Sequence, residues 1–502
     1  MTGVRAGALG MALAVAASGV QAHGFGQRFD LPLPLWLWIG GAAATIVITF
    51  VLVALFARET ALARRPWQFD LLAVDAVRIA AHPFAVALRI ATALLFVLAL
   101  AAGFFGTQDA YANLIVVAVW VIWWVGVAFV CALVGDLWDV VDPLRAIYLA
   151  GARVIGRAMD TNRVSLKRAH PVRWSAWPGV LLFFAFAWAE LIWPSKDVPR
   201  ALAGAVLGYA VLAWLGMFMF GVETWRRHGD AFAIAFRVLA RFAPLDLRSA
   251  SPGSPHRIVL RPYGGGLLDG APVAWSLVVF VLLMLATVTF DGFHQTPAMQ
   301  QIETAAQTSR AVAVVLYDLS QWGIDETMAV HSATLLAFPL AFVAAFAATC
   351  AATVALAARA DRLQPASARI DAVGLREAAG WFVMTLVPIA VAYHLAHYAS
   401  LLLTAGQFIV PLASDPFGFG WDLFGTRSRA VDLGVIDPYV AWYGSVALIV
   451  FGHVVAVLAA HAAALRLFGS RRSALVSQLP MTALMVAYTT LSLWILAQPI
   501  VG

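Results

Sequence analysis

Ten runs of predominantly apolar residues constrain this chain more than any other feature. They fall at 34–56, 90–107, 113–134, 174–194, 201–221, 271–290, 333–358, 378–404, 442–465 and 478–499. A hydrocarbon core of about 30 Å is crossed by about 20 helical residues, so each run has roughly bilayer length. Lipid offers backbone N–H and C=O groups no partner, which restricts such runs to helices that satisfy their own backbone. Of 502 residues, 62% are hydrophobic and 12% charged, against about 25% charged in a soluble domain. The fold class is therefore all-α: a polytopic integral membrane helix bundle of about ten transmembrane helices, with the lipid bilayer as its main partner.

The N-terminus has the parts of a cleaved signal peptide. Arg5 gives a positive start, Ala8 to Ala17 a short apolar stretch, and Val20-Gln21-Ala22 a small-residue cleavage site. Residues 1–22 are then the signal peptide. Residues 23–502 form a single transmembrane domain whose longer outer loops are 291–332 and 405–441.

Positive charge sets the orientation. Alternate connecting segments carry the arginine clusters, for example Arg58, Arg64 and Arg65, then Arg153, Arg157 and Arg163, then Arg359 and Arg362. The segments between them are nearly free of such charge, which places both chain ends in the periplasm. Because the arginines are interspersed with apolar runs, the sequence pI near 9.6 reflects topology and not nucleic-acid binding. Leu144 to Met159 and Asp230 to Phe242 mix arginine with apolar residues at helical spacing and read as anchors lying flat at the inner interface. Cys131 and Cys350 lie within apolar runs and read as buried packing residues.

Ionisable residues inside spans are costly to insert, so each is a candidate for function. His394 and His397, three apart, share a helix face in the eighth span, and the ninth carries His453 with His461 deeper. Asp291 and His294 close the sixth span as catalytic candidates, and His331 opens the seventh. Imidazole suits zinc or copper, so His394, His397 and His453 are candidate ligands of a divalent transition metal, with Asp291 as a carboxylate of the same site and one position left open. Cleavage would add His23, whose amine and ring chelate together. The alternative is that these histidines hydrogen-bond between helices. Glu190 and Glu223, at span ends, are candidate proton-handling groups. No nucleophile elbow, reactive cysteine setting or phosphate-binding loop is found.

Three stretches carry a resemblance: Ala22-His-Gly-Phe-Gly-Gln-Arg-Phe-Asp near the start, Gly135-Asp-Leu-Trp-Asp-Val-Val-Asp-Pro after the third span, and Asp415-Pro-Phe-Gly-Phe-Gly-Trp-Asp in the last long loop. Together they resemble the bacterial membrane proteins known as fenitrothion hydrolases. The resemblance implies a protein of the bacterial inner membrane that hydrolyses a hydrophobic organophosphorus triester, and it transfers no site residue. A metal-bound hydroxide attacking phosphorus would fit that reaction. The rival reading is a copper- or proton-linked membrane carrier or redox-associated membrane protein.

Overall fold

The computed structural model describes residues 34–56, 67–158, 165–248, 257–362, 373–468 and 471–498. The signal peptide and His23 lie outside the described residues. Among those described, nine helices are long and apolar enough to cross a membrane. The segment expected as the fourth span, 174–194, forms a shorter apolar helix, Trp177–Leu191. Its 15 residues rise only about 22 Å, less than the hydrocarbon core.

We number the helices that build the bundle α1 (Leu35–Phe56), α2 (Asp75–Phe105), α3 (Leu114–Leu133), α4 (Trp177–Leu191), α5 (Pro199–Phe220) and α6 (Ala231–Ala240). They continue as α7 (Trp275–Phe293), α8 (Pro297–Thr308), α9 (Glu326–Arg362), α10 (Val387–Thr404), α11 (Pro438–Leu467) and α12 (Leu479–Leu496). Local chemistry sets several starts. Pro199, Pro297 and Pro438 occupy first turns, where a missing N–H costs nothing. Asp437 caps α11 by accepting from the Tyr439 and Val440 amides.

Helix α7 is the central element: thirteen of its residues, from Ser276 to Asp291, are buried. It packs against α4, α9, α10 and α12. Its first turn is tied to the start of α4 by Ser276 Oγ, which accepts from the Ala176 amide at 3.0 Å. The expected pairing of the eighth and ninth spans is observed as the most extensive helix contact, α10 on α11. Gly452 permits it: a Cβ there would lie 2.8 Å from the Pro388 carbonyl oxygen and also meet the Ala392 side chain.

One expectation is corrected. The segment beginning at Asp230 does not lie flat on the surface; nine of the ten residues of α6 are buried inside the bundle. Its sequence, Ala-Phe-Ala-Ile-Ala-Phe-Arg-Val-Leu-Ala, is apolar nearly all round, the pattern of a core helix and not of an interfacial one. Asp230 caps it through the Phe232 and Ala233 amides, and Phe232 packs edge-on to Trp123 with ring centroids 4.4 Å apart. Pro143–Ala158, the other expected anchor, does carry exposed Val154 and Ile155.

The connecting segments are structured too. A small antiparallel sheet, order β1-β3-β2, joins β1 (Phe69–Asp70), β2 (Leu245–Arg248) and β3 (Arg257–Leu260). In the 405–441 loop, Asp415 accepts from the amides of Phe419 and Gly420 at 2.9 and 2.7 Å. Gly418 and Gly420 have φ of +70° and +93°, values that side chains rarely adopt, so the glycines fix this turn. Cys131 and Cys350 are buried and unpaired with each other.

Candidate functional site

The site forms where α7 ends against the middle of α10. Asp291, two residues before the end of α7, is 1% exposed. Its Oδ2 accepts from the Tyr398 hydroxyl at 2.6 Å and lies 2.9 Å from His397 Nε2. Where that carboxylate is ionised it only accepts; His397 then presents an Nε2–H to it, and Nδ1 carries the lone pair of the neutral ring. Gly292 gives the room for this: a Cβ there would meet Ile495 and come within 3.7 Å of His397 Cε1.

His294 caps α7 and joins the same group. Its ring stacks on Phe290, and Nδ1 lies 2.6 Å from the Asp291 carbonyl oxygen and 3.9 Å from Asp291 Oδ1. A carbonyl cannot donate, so the proton is on His294 Nδ1. Glu190, at the end of α4, is partly buried and near enough to interact electrostatically with Asp291 and Tyr398. The structure thus brings together Asp291, His294 and His397, with Tyr398 and Glu190 beside them.

The other expected ligands stay apart. His394 is held among the rings of Trp124, Phe129 and Tyr398, and its Nε2 is buried with no hydrogen-bond partner among the described residues. The Tyr398 ring stands between His394 and His397, with its centroid 4.7 Å from each. A small cavity lined by Trp124, Phe183, Leu239, Met284, Val288 and His394 adjoins. His453 bonds its own helix, Nδ1 to the Ile449 carbonyl at 2.8 Å, and faces Tyr488. His461 pairs with Gln478. No group of three or more His, Cys, Asp or Glu is placed to hold a metal ion among the described residues.

A second buried charged group lies at the opposite end of the bundle, near the start of α4. It uses the three aspartates of the Gly135–Asp142 motif. Arg226, 2% exposed, donates to Asp139 at 2.5 Å and to Asp142 at 3.0 Å. Arg145 reaches Glu223 at 2.7 Å, and Arg237 donates to the Arg226 carbonyl. Asp142 also caps the next helix through the Leu144 and Arg145 amides. Burial, with Asp139 adding repulsion, pushes the Asp136 carboxyl up to about 6. Burial likewise raises Asp142 to about 6, against the pull of Arg226. The aspartates were visible in the sequence only as a motif; their partner Arg226 lies more than eighty positions away.

Comparison with protein families, with characterised proteins and with solved structures finds no match. The site is therefore read from its own geometry.

Proposed function

We propose that Asp291, His397 and Tyr398 form a proton-transfer centre inside the membrane, and that the protein uses it as a hydrolase of hydrophobic organophosphorus triesters. The observation that carries this reading is the Asp291 carboxylate, almost wholly buried and shared by an imidazole at 2.9 Å and a phenol at 2.6 Å. A carboxylate–imidazole pair is the arrangement that lets a neutral histidine take a proton and hold the resulting charge. His397 Nδ1 takes a proton from water, the oxygen attacks phosphorus, and a stabilised phenolate leaves without needing a strong acid. Asp291 steadies the imidazolium through Nε2–H, and Tyr398 keeps the carboxylate oriented. The substrate class comes from the resemblance to fenitrothion hydrolases, and it suits a site that a greasy triester would reach from lipid.

In this reading the centre lies at the periplasmic end of the spans in a bacterial inner membrane. Reporter fusions near residues 110, 310 and 425 should then report periplasm, and fusions near 160 and 365 cytoplasm.

The deciding experiment measures release of nitrophenol from a triester by the purified protein in detergent. Wild type should turn over and Asp291→Asn and His397→Ala should not, while His453→Ala keeps activity. A wild-type protein that releases no phenol in detergent but dissipates a pH gradient in sealed vesicles would be a proton-linked carrier instead.

A further inference from the structure

The buried carboxylate needs a route by which protons reach water, and the 291–332 segment supplies one. Glu303, on α8, lies 2.6 Å from His331 Nε2 on α9. The His331 ring stands edge-on to His294, centroids 6.1 Å apart. His294 Nδ1 in turn lies 3.9 Å from Asp291 Oδ1. Side-chain exposure falls along this series, from 27% at Glu303 to 17% at His331, 13% at His294 and 1% at Asp291. Two imidazoles set between a partly exposed carboxylate and a buried one have the composition of a proton relay.

The segment is also built to hold these groups in place. Thr296 Oγ1 donates to the Phe293 carbonyl at 2.7 Å where α7 turns into α8. Buried Met299 on α8 packs with Val330 on α9 and against Phe293. Trp188 on α4 donates to Ser332, the neighbour of His331, at 2.8 Å. Surface helices joined only by sequence proximity would not need such pins.

We infer that Glu303, His331 and His294 form a proton port connecting Asp291 to the aqueous face on the α8 side. Inward, Glu303 takes a proton from water and passes it to His331 Nε2. His331 releases a proton from Nδ1 toward His294, across a gap that one water molecule or a ring rotation spans. His294 then turns its Nδ1–H from the Asp291 carbonyl toward Oδ1, 3.9 Å away at rest, gives up that proton there and accepts the incoming one on Nε2. One proton moves, no bond to carbon changes and nothing is oxidised. During hydrolysis the same groups work outward, clearing the proton that His397 takes from water. The titratable groups facing the inner end are His397, His394, Tyr398, Tyr393 and Glu190.

The inference rests on the proposed proton-transfer centre, but its test does not require a substrate. In a stopped pH jump on the purified full-length protein, infrared absorption follows the Asp291 carboxyl band, assigned by its loss in Asp291→Asn. Glu303→Gln and His331→Phe should slow protonation of that band by roughly tenfold or more. Added imidazole buffer should restore the rate, because a diffusing base replaces a missing relay group but does not repair a displaced helix. Protonation at the wild-type rate in both variants, or a slowing that imidazole leaves untouched, overturns the port. If the wild-type protein hydrolyses no triester yet shows the slowed and rescued jump, the port stands and the hydrolase reading falls. If hydrolysis depends on Asp291 while the jump is unaffected in both variants, the hydrolase reading stands and the port falls.

Discussion

The buried charged groups around Arg226 and around Asp291 differ in one respect that separates structure from chemistry. Around Arg226 the carboxylates of Asp139 and Asp142 face a guanidinium at 2.5 and 3.0 Å. Guanidinium never gives up its proton in a protein, so Arg226 keeps its charge and braces the Val222–His228 helix to the Asp139–Asp142 stretch and, through Arg237, to α6. At the other end Asp291 is held by an imidazole and a phenol. The imidazole can gain a proton and the phenol can lose one, so in the proposed reading the carboxylate there serves transfer. Burial alone does not mark a functional acid; the proton chemistry of its partner does.

The largest effect that can break this comparison is on turnover. Asp291→Asn keeps the size of the side chain and its hydrogen-bonding capacity but removes the charge that supports His397. Triester hydrolysis should fall by about 10²–10⁴-fold, with the melting temperature in detergent nearly unchanged. If turnover survives, Asp291 is a packing group like the aspartates of the other cluster.

The reciprocal change should act on stability. Arg226→Met leaves Asp139 and Asp142 buried without their cation, which costs about 3–5 kcal/mol when one partner of a buried ion pair is removed. Chemical or thermal unfolding in detergent would show a clear loss, and any residual folded protein should turn over triester at a near-normal rate. A variant that is stable but inactive would move the Arg226 cluster into the functional machinery.

A smaller effect tests whether the separation of His453 from His397 is imposed by packing. Gly452→Val places methyl groups against Pro388 and Ala392, and overpacking of that kind costs about 1–3 kcal/mol. Thermal melts should detect it. A variant as stable as wild type would mean that the α10–α11 seam is looser than its backbone contact indicates.

The smallest expected effect is a pH dependence. The Asp136 carboxyl has its folded value raised to about 6 by burial and by Asp139, above its ordinary value near 4. The folded protein therefore holds this proton more tightly than the unfolded chain. Its stabilising contribution is complete below the unfolded value and is lost as pH rises through about 6. Asp136→Asn should lessen the decline of the melting temperature that wild type shows between about pH 4.5 and 7, leaving the part that Asp142, also raised to about 6, contributes. An unchanged slope would show that Asp136 is paired more strongly with Arg237 than its burial allows.

What was legible in the sequence and what was not divides along particular residues. The spans were legible because lipid forces backbone satisfaction within each run, so length and apolarity suffice. Only Trp177–Leu191 fell short of the expected length. Asp291 and His294 stood out as charge at the end of an apolar span. The expected meeting of His394, His397 and His453 was not formed, because helical spacing gives a face and not its neighbours. Tyr398 fills the space between the first two, and His453 turns to Tyr488 and its own helix. Tyr398 as a partner of Asp291 gave no signal, since a tyrosine in a span usually packs.

By itself, then, the sequence determined that the chain lives in a bilayer as helices, and which few ionisable residues must be accommodated there. Those are consequences of transfer free energy, which is summed locally along the chain. The tertiary structure alone decided which of those residues face one another: Arg226 with Asp139 and Asp142, Asp291 with His397, Glu303 with His331, and α6 inside the bundle instead of on it. Partner choice depends on helix rotation and side-chain volume across segments distant in sequence, and on close approaches such as Gly452 on Pro388, where a single Cβ would change the register of the packing.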